Sequence, residues 1–445
     1  MTLGVHGRDP LKSFLLSVLR NINGPKLALE KDMHAQIRLL FLPSLLIISL
    51  LGLAGCGSNI GCGPGVGVTG GPGGGSSTGV SGSSSCGGSN NGGGGGGGTG
   101  GTTTTSAFLY YLGSSSDVQG ASLSSSGVFS NLTPYTPPVL ASSSVSSMAV
   151  ADGQFLYVPM NGFSNVQGFS INRANGGLTA LSGSPFPAQA GAETLALDPS
   201  GRFLFVGGEF ASSVSVYQIN TTTGALTPAP GSPFQSFNLV LANSLTVDGT
   251  GKFLYVGQTF STNPVVVFSI DQTTGSLTEI AGSPFPLGTS VVQADPTGKF
   301  LLGVADNSGT SGDHHVYVYS INPSTGAPTA VSGSPFSTVS VPFGLAIDPS
   351  GSFVYVSVAD SNDLVTTLEG YQINATSGAL TALAGSPFST LPIVGECQFD
   401  QSGSHLFCLN ANGFSVLDLD PSTGNLSHTI PDLTTTNNFP FAVTN

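Results

Sequence analysis

The side chains of this chain that could do chemistry are mostly carboxylates. These carboxylates either follow apolar segments that recur along the sequence or stand at the start of such segments. Two adjacent histidines directly follow one of them. These unusual polar residues converge in one set of loops and strand starts, which makes them the best candidates for a functional site. The candidate catalytic residue is Glu209, and the candidate residues of a binding face are Glu193, Asp306, Asp313, His314, His315, Asp360, Asp363 and Glu396.

Two loops raise the question of a metal ion. The segments 307–315 (NSGTSGDHH) and 359–364 (ADSNDL), with Asp306 just before the first, contain four of the candidate aspartates. Their oxygens suit Ca²⁺, and the histidine pair suits a transition metal. The spacing matches no known metal-binding loop, so we interpret these residues as solvated loop acids and predict neither a metal site nor a cofactor.

Basic residues are scarce and unevenly placed. Six of the ten lysines and arginines precede residue 39, and only Arg173, Arg202, Lys252 and Lys299 follow it. Against these four stand 20 acidic residues, which gives the chain after residue 38 a net charge of −16. Phosphate backbones and anionic lipid surfaces are therefore poor partners for it, and we predict no nucleic-acid partner.

A hydrophobic segment of 17 residues, 39–55 (LLFLPSLLIISLLGLAG), follows Arg38 and ends directly before Cys56. It resembles a bacterial lipoprotein signal, and this resemblance implies cleavage before Cys56 and lipidation of its thiol. An ordinary signal peptide or membrane anchor is the alternative. We predict a signal peptide over 33–55 and a mis-assigned extension over 1–32, which fits no part of such a signal.

The segment after Cys56 consists almost entirely of Gly, Ser, Thr and Asn up to residue 105. Such a composition buries too little apolar area to fold, so 56–105 is predicted to be a lipidated cysteine followed by a flexible tether. A random coil of this length reaches about 40 Å. The expected localisation is therefore export with a lipid anchor in the cell envelope, on the periplasmic or surface side of the outer membrane.

One short phrase recurs seven times in the rest of the chain, at intervals of 47 to 53 residues. This period is typical of a four-stranded sheet in each repeat. The phrase is apolar at consecutive positions, as in strands that are covered on both faces. Its copies are FLYY at Phe108, FLYV at Phe155, FLFV at Phe203, FLYV at Phe253, FLLG at Phe300, FVYV at Phe353 and HLFC at His405.

Turn residues surround each copy. An apolar strand ends in a turn such as 198–201 (DPSG), whose Asp, Pro and Gly occupy the positions that a type I turn favours. The phrase is the second strand, a third strand follows it, and a glycine-containing hairpin leads to a short fourth strand. No helical pattern interrupts the repeats, so the fold class is all-β.

The two ends of the repeat region complement each other. The first repeat begins with its second strand at Phe108, and the chain ends in 439–445 (FPFAVTN), which resembles a first strand such as 342–348. We therefore predict that the last strand pairs beside 108–111 and closes a ring. The result is a seven-bladed β-propeller of four-stranded antiparallel blades over 106–445.

Antiparallel blades place their connections on two faces. The first-to-second and third-to-fourth turns share one side, which we call the plain face. The second-to-third and blade-to-blade connections share the other side, which we call the loop-rich face. All the candidate site residues are predicted on the loop-rich face or at the inner strand starts beside it.

The segments DPSGRFLFV, SVSVYQI and the TG-x-L hairpin resemble the lactonase-type seven-bladed propellers, which include 6-phosphogluconolactonase-like proteins and border the YVTN-repeat proteins. Members of that family carry an Arg-His pair at an inner strand start and a glutamate after the next strand. These positions are occupied here by Glu193, Thr194 and Glu209, so only the glutamate matches. A face without cations is poorly suited to stabilising an oxyanion or a phosphate.

We therefore interpret the chain as a monomeric, lipid-anchored binding or interaction scaffold without catalysis. Its partner would be a protein or carbohydrate ligand on the loop-rich face, and the lipid would hold it at the membrane. The alternative is a divergent sugar-lactone hydrolase of the 6-phosphogluconolactonase type that uses Glu209. A wall or polysaccharide adhesin is a third interpretation.

Two further residue types occupy core positions of the repeat. Cys397 and Cys408 stand where other repeats have Leu or Val, so we predict buried thiols, with a disulfide as the alternative in an oxidising compartment. His405 stands where other repeats have Phe, and we predict a buried, hydrogen-bonded histidine there.

Overall fold

The computed structural model of the protein describes part of the chain, all of it within residues 95–445, the second of the two units into which the chain divides. Cys56, the signal segment and the tether up to residue 104 lie outside the described residues. The described ranges are 105–113, 117–132, 147–208, 211–239, 241–259, 261, 264–305, 313–359, 365–388, 393–435 and 440–444.

The described strands form seven antiparallel sheets, each in the sequence order expected for a propeller blade. Blade 1 contains β1 (Thr105–Leu112), β2 (Val118–Ser124), β3 (Phe129–Asn131) and the last strand, β32 (Phe441–Val443). Blade 2 contains β4 (Ala149–Ala151), β5 (Phe155–Met160), β6 (Asn165–Ile171), β7 (Leu178–Ala180) and β8 (Phe186–Pro187). Blade 3 contains β9 (Ala192–Leu197), β10 (Phe203–Gly208), β11 (Ser213–Ile219), β12 (Leu226–Pro228) and β13 (Phe234–Gln235).

Blade 4 contains β14 (Ala242–Val247), β15 (Phe253–Gln258), β16 (Val265–Ile270) and β17 (Leu277–Glu279). Blade 5 contains β18 (Val291–Ala294), β19 (Phe300–Val304), β20 (His315–Ile321), β21 (Pro328–Ala330) and β22 (Phe336–Ser337). Blade 6 contains β23 (Val341–Ile347), β24 (Phe353–Ala359), β25 (Val365–Ile373) and β26 (Leu380–Ala382). Blade 7 contains β27 (Ile393–Phe399), β28 (His405–Asn410), β29 (Gly413–Leu419), β30 (Leu426–Ser427) and β31 (Leu433–Thr434).

The predicted seven-bladed, all-β fold is thus confirmed. The part of the chain that the structure describes contains a single 3₁₀ turn, Asn161–Phe163, and none of its helices is long and apolar enough to cross a membrane. Buried apolar residues form clusters that span neighbouring blades, such as the one that joins Phe205 of blade 3 to Leu254 of blade 4. The core therefore lies between the blades.

The aspartate that begins the first-to-second turn is a buried structural residue. In blade 3 the amide N–H of Phe203 donates to the Asp198 carboxylate over 2.6 Å, and Asp198 is 5% exposed. The same bond measures 2.7 Å at Asp295 and 2.6 Å at Asp348. These carboxylates hold their turns and the start of the second strand, as the turn pattern predicts.

Neighbouring blades interlock through the phenylalanine of the repeated phrase and the hairpin glycine of the next blade. A Cβ atom on Gly224 would lie 2.4 Å from the Phe155 ring, and the glycine has φ +72°. Six junctions share this contact, with distances of 2.4 to 2.7 Å between ring and added Cβ. The tyrosine two residues after the phenylalanine adds a hydrogen bond, since Tyr157 donates to the carbonyl of Gly224 over 2.7 Å.

The fourth strand of several blades is split in two. After the short outer strand comes the GSPF segment, whose Ser–Pro bond is cis in all five copies. Its serine hydroxyl accepts a hydrogen bond from the third strand, as in Val216 N–H to Ser232 Oγ at 2.9 Å. The residues after it then pair with the third strand again, as β13 does with β11. The GSPF segment therefore caps the outer side of the blade.

The chain closes as predicted, because β32 pairs with β1 through Leu109–Val443, Tyr110–Ala442 and Tyr111–Phe441. Thr444 takes the place of the turn aspartate at this point. Its N–H donates to the Phe108 carbonyl over 2.8 Å, and its Oγ1 accepts from the Phe108 N–H over 3.0 Å. Both residues are buried, so these bonds are shielded from water.

In blade 7 the structure differs from the predicted free thiols at Cys397 and Cys408, and it adds detail to the predicted buried histidine, His405. Cys397 and Cys408 are paired across β27 and β28 and are joined by a disulfide, so they are not the free buried thiols that their core positions suggested. His405 is partly buried, with 20% of its side chain exposed, and its Nδ1 lies 2.9 Å from Asp400 Oδ2. That hydrogen bond raises the pKa of His405.

We expect Thr444→Val to lower the free energy of unfolding by about 1–3 kcal/mol, because it leaves the buried N–H of Phe108 without its acceptor. Urea denaturation of the wild type and the variant measures the change. Thr444→Ser keeps the hydroxyl and serves as the control. Equal losses in the two variants would contradict a role for this hydroxyl in ring closure.

Candidate functional site

A channel with a cavity of about 310 Å³ runs between the innermost strands. Its wall combines apolar residues with a few polar ones, and the only ionisable side chain in the described wall is Glu396. The polar residues of the wall are Ser147, Thr246, Gln293, Glu396 and Gln398. A cavity of this size lies at the lower end of the range for small-molecule sites.

At two blade junctions, serine hydroxyl groups of one blade form hydrogen bonds with backbone groups of the innermost strand of the next blade. Ser147 of blade 2 accepts from the N–H of Leu195 over 2.8 Å and donates to the Glu193 carbonyl over 3.3 Å. Ser244 of blade 4 bonds blade 5 in the same way, accepting from Val292 N–H over 3.0 Å. This arrangement occupies backbone groups that would otherwise face the channel unpaired.

Glu396 stands at the position of the inner strand that Ser147 and Ser244 occupy in their blades. Its side chain is exposed to the channel space, yet the ring of blades surrounds it. No cation accompanies it in the described wall. Loss of bulk solvation therefore raises its pKa to about 7, so the carboxyl can accept or donate a proton near neutral pH.

The inner start of blade 3, where the resemblance places an Arg-His pair, holds Glu193 and Thr194. Glu193 is half-buried, and its carbonyl accepts from Ser147. Thr194 is 6% exposed, its Oγ1 has no hydrogen-bond partner, and it pairs with Gly207 on the second strand. The sequence therefore has no Arg-His pair at this strand start, and the hydroxyl of Thr194 stands where the resemblance places the histidine.

Asp313, His315 and Tyr317 form one cluster at the start of β20. The Nδ1 atom of His315 lies 2.5 Å from Asp313 Oδ1, and the Tyr317 hydroxyl donates to Asp313 Oδ2 over 2.6 Å. Burial and this hydrogen bond raise the pKa of Tyr317, which keeps the phenol protonated. His314, by contrast, is exposed beside the cluster. The Asp313 carboxylate thus orients the His315 imidazole through Nδ1, so that the other imidazole nitrogen, Nε2, points away from Asp313.

Blade 6 holds a buried carboxylate that the sequence analysis missed. Glu369 on β25 is 2% exposed, accepts from the N–H of Val339 over 2.6 Å and accepts from the hydroxyl of Tyr371. It stands two residues before that tyrosine, where blade 5 has Tyr317 and blade 3 has Ser215. The sequence offered one signal for this buried carboxylate, because a glutamate stands within an otherwise uncharged third strand. Its partners show that it anchors the connection from blade 5.

Four predicted site residues, Glu209, Asp306, Asp360 and Asp363, lie outside the described residues. The structure thus brings Asp313 and His315 together, and it places Glu396 in the channel, apart from them. Within the described ranges, no group of three or more His, Cys, Asp or Glu side chains could hold a metal ion.

Apolar and basic side chains occupy opposite faces. Among the described residues, five large hydrophobic side chains are exposed, and four of them lie on the loop-rich face. Phe237 is fully exposed in the connection between blades 3 and 4. The other three are Phe163, Val339 and Phe343, while the fifth, Val128, is in a plain-face turn.

The basic residues of the described chain lie in plain-face turns, and two of them bond the next blade. Arg202 donates to the carbonyl of Gln272 in the next blade over 3.1 Å, and Lys299 donates to that of Ala375 over 3.2 Å. Arg173 and Lys252 occupy turns on the same side. Among the residues that the structure describes, the loop-rich face therefore has no Lys or Arg.

Replacing Glu396 with Gln is expected to raise the melting temperature at pH 8, because the wild type must ionise a desolvated carboxyl there. A carboxyl whose folded pKa is about 7, above the unfolded value of 4.5, loses stability as the pH rises through that interval. The difference between variant and wild type should therefore be small below pH 4.5, grow up to pH 7 and then level off. A difference that does not change with pH would contradict the raised pKa.

The comparisons with known proteins agree with this geometry. Residues 108–240 match the family model described as lactonase, 7-bladed beta-propeller. No curated protein matches the chain. A solved structure of a 6-phosphogluconolactonase candidate from Bacteroides fragilis superposes with a TM-score of 0.58 at 17% identity, covering 77% of this chain and 99% of its own.

Two further structures show the same fold. A candidate 6-phosphogluconolactonase from Bacteroides uniformis has a TM-score of 0.58 at 16% identity, covering 76% of this chain and 98% of its own. The periplasmic gluconolactonase of Pseudomonas aeruginosa has a TM-score of 0.55 at 17% identity, covering 76% and 99%. The predicted resemblance is confirmed: the chain folds as a seven-bladed β-propeller, and its residues 108–240 are similar to the lactonase family model.

Proposed function

We propose that this propeller is an extracytoplasmic binding protein that holds a protein partner on its loop-rich face. The observation that carries the proposal is the segregation of side chains between the faces. Phe163, Phe237, Val339 and Phe343 are exposed on one face, whereas the four basic residues of the described chain lie on the other. Exposed apolar groups grouped on one side are typical of interaction surfaces.

The charge of the loop-rich face argues against the lactonase reaction. Opening of a lactone develops negative charge on an oxygen, and a phosphorylated substrate adds a dianion. Glu193 and Thr194 stand where the family has its Arg-His pair, and Glu396 lies in the channel wall. Such a face favours a partner surface that combines apolar contacts with positive charge.

We further propose that a lipid on Cys56 attaches the propeller to the membrane. The segment 39–55 before Cys56 supports a lipid anchor, and the Gly- and Ser-rich residues after it supply a spacer of about 40 Å. A propeller on such a spacer can meet partners in the envelope without contacting the bilayer. Its acidic surface is also repelled by anionic headgroups.

A divergent sugar-lactone hydrolase is the second candidate. It is supported by the family match over 108–240, a range that includes Glu209, the retained glutamate. Incubation of the purified chain with gluconolactones, beside Glu209→Ala, tests it. We expect ring opening at the uncatalysed rate in both proteins. Opening that depends on Glu209 would replace the binding proposal with this one.

The binding proposal predicts that Phe237→Ser with Phe343→Ser weakens retention of envelope proteins by at least about tenfold, since two exposed anchors are lost. The measurement is crosslinking of the purified chain to envelope fractions, followed by quantification of the specific partner band. Val128→Ser on the plain face is the matched control. A partner lost equally in the control would contradict the assignment of the face, and retention sensitive to polysaccharide digestion would indicate an adhesin.

A further inference from the structure

The fully exposed Phe237 stands on a connection whose two flanks bind the same carboxylate. The Ser236 hydroxyl donates to Glu279 Oε2 over 2.8 Å, and the side-chain amide of Asn238 donates to Glu279 Oε1 over 2.7 Å. Glu279 is the last residue of β17, the outer strand of blade 4, and the connection enters that blade from blade 3. The residues on either side of Phe237 are therefore fixed to blade 4.

Backbone contacts order the same connection further. The N–H of Ser236 donates to the Ser212 carbonyl of blade 3 over 2.9 Å, and the N–H of Leu239 donates to the Ser236 carbonyl over 3.2 Å. Ser236 and Leu239 are 4% and 2% exposed, and Leu239 belongs to the apolar cluster between blades 3 and 4. An exposed side chain on an ordered backbone loses less conformational entropy when a partner binds it.

A second connection has the same arrangement. Val339, between blades 5 and 6, is the third residue after the phenylalanine of its GSPF segment, as Phe237 is in its own. Val339 is 62% exposed, and its N–H donates to Glu369 Oε1 over 2.6 Å. Glu369 belongs to blade 6, the blade that the connection enters, just as Glu279 belongs to blade 4. An exposed apolar side chain and a carboxylate of the following blade thus occur together twice.

Glu279 is not needed to build a blade. The register of the third and fourth strands aligns it with Ala or Pro in four other blades, at Ala180, Pro228, Ala330 and Ala382. In two other connections for which the structure describes the position of Phe237, the residue is Gln189 or Gly288. Gln189 Nε2 donates to the Val206 carbonyl over 2.7 Å, so this side chain lies against blade 3. The carboxylate therefore accompanies the exposed ring and not the repeat.

We propose that Glu279 is a positioning residue of the partner surface, and that it holds Phe237 ready to enter an apolar pocket with a cationic rim on the protein partner. The inference rests on the proposed function and specifies its partner. A phenyl ring buries a large apolar area in such a pocket. The rim is cationic because the Glu279 carboxylate lies beside the ring's backbone, and the described residues of this face include no Lys or Arg.

The positioning role can be measured without the partner. The protein contains no tryptophan, so Phe237→Trp places a single fluorescent reporter at the anchor. Time-resolved anisotropy of the purified chain should show the slow tumbling of the propeller, and adding Glu279→Ala should introduce a nanosecond local motion. The melting temperature should barely change, since other blades hold Ala at this position. Thr278→Ala, in the same strand, is the control and should leave the anisotropy unchanged.

Modified β-cyclodextrins serve as probes of the pocket chemistry, because they offer a ring-sized apolar cavity with a chosen rim. Titration of the Phe237→Trp reporter at low salt compares the aminated, the unmodified and the carboxymethylated host. We expect the aminated host to bind at least about threefold more tightly than the unmodified one, and the carboxymethylated host to bind most weakly. Glu279→Gln keeps one acceptor and removes the charge, so it should retain most of the slow anisotropy and lower the preference for the aminated host.

Every other result overturns the proposal. Anisotropy that Glu279→Ala leaves unchanged, or that Thr278→Ala alters equally, would contradict the positioning role. Equal or reversed affinities for the hosts would contradict the cationic rim. Binding of the wild type to phosphatidylcholine vesicles that Phe237→Ser abolishes would replace the protein pocket with a lipid surface.

The crosslinking assay separates this inference from the proposed function. A wild type that yields no specific partner band contradicts the proposed function, whatever the anisotropy shows. A band that is lost in Phe237→Ser with Phe343→Ser but kept at full strength in Glu279→Ala contradicts only the positioning role. We expect Glu279→Ala to weaken the band by at least about threefold, because the partner must then order the connection.

Discussion

The contact between an aromatic ring and the hairpin glycine of the next blade holds the propeller together. Each phenylalanine of the repeated phrase covers a glycine whose positive φ and missing Cβ admit the ring. The tyrosine two positions later donates to that glycine's carbonyl at four junctions. Since the ring and the glycine are about 70 residues apart, one motif positions neighbouring blades throughout the circle. At the seventh junction Ile430 contacts Gly127 and takes the place of the ring.

The second constraint is the unpaired inner edge of every sheet. A four-stranded blade has two edges, and the inner one faces a narrow channel where backbone groups need partners. For blades 3 and 5, Ser147, Ser244 and Thr246 of the preceding blade provide them. Toward the outer side of the blade, the serine hydroxyls of the GSPF segments accept hydrogen bonds from N–H groups of the third strand.

Among the described residues, the basic side chains lie on the plain face, whereas Asp313 and His315 lie on the loop-rich face. Two basic residues in plain-face turns, Arg202 and Lys299, donate to carbonyl groups in the hairpin of the next blade, so they stabilise the scaffold. The loop-rich face retains carboxylates, exposed aromatics and one imidazole oriented by Asp313. This propeller therefore keeps its fold with Glu193 and Thr194 at the positions where the family that it resembles has an Arg-His pair. The fold is set by ring and glycine contacts that do not involve those positions.

Much of the architecture followed from the sequence alone, because the periodic phrase, its turn aspartates and the two complementary chain ends encode contacts that repeat. They predicted seven blades, the closing strand beside Phe108 and the structural role of residues such as Asp198. Only the tertiary structure decided how unique residues meet: the disulfide between Cys397 and Cys408, the burial of Glu369, and the substitution of Thr444 for a turn aspartate. The raised pKa of Glu396 belongs to the same group. A repeat predicts what every blade shares, whereas the environment of one side chain depends on blades that lie far apart in the chain and converge only when the ring closes.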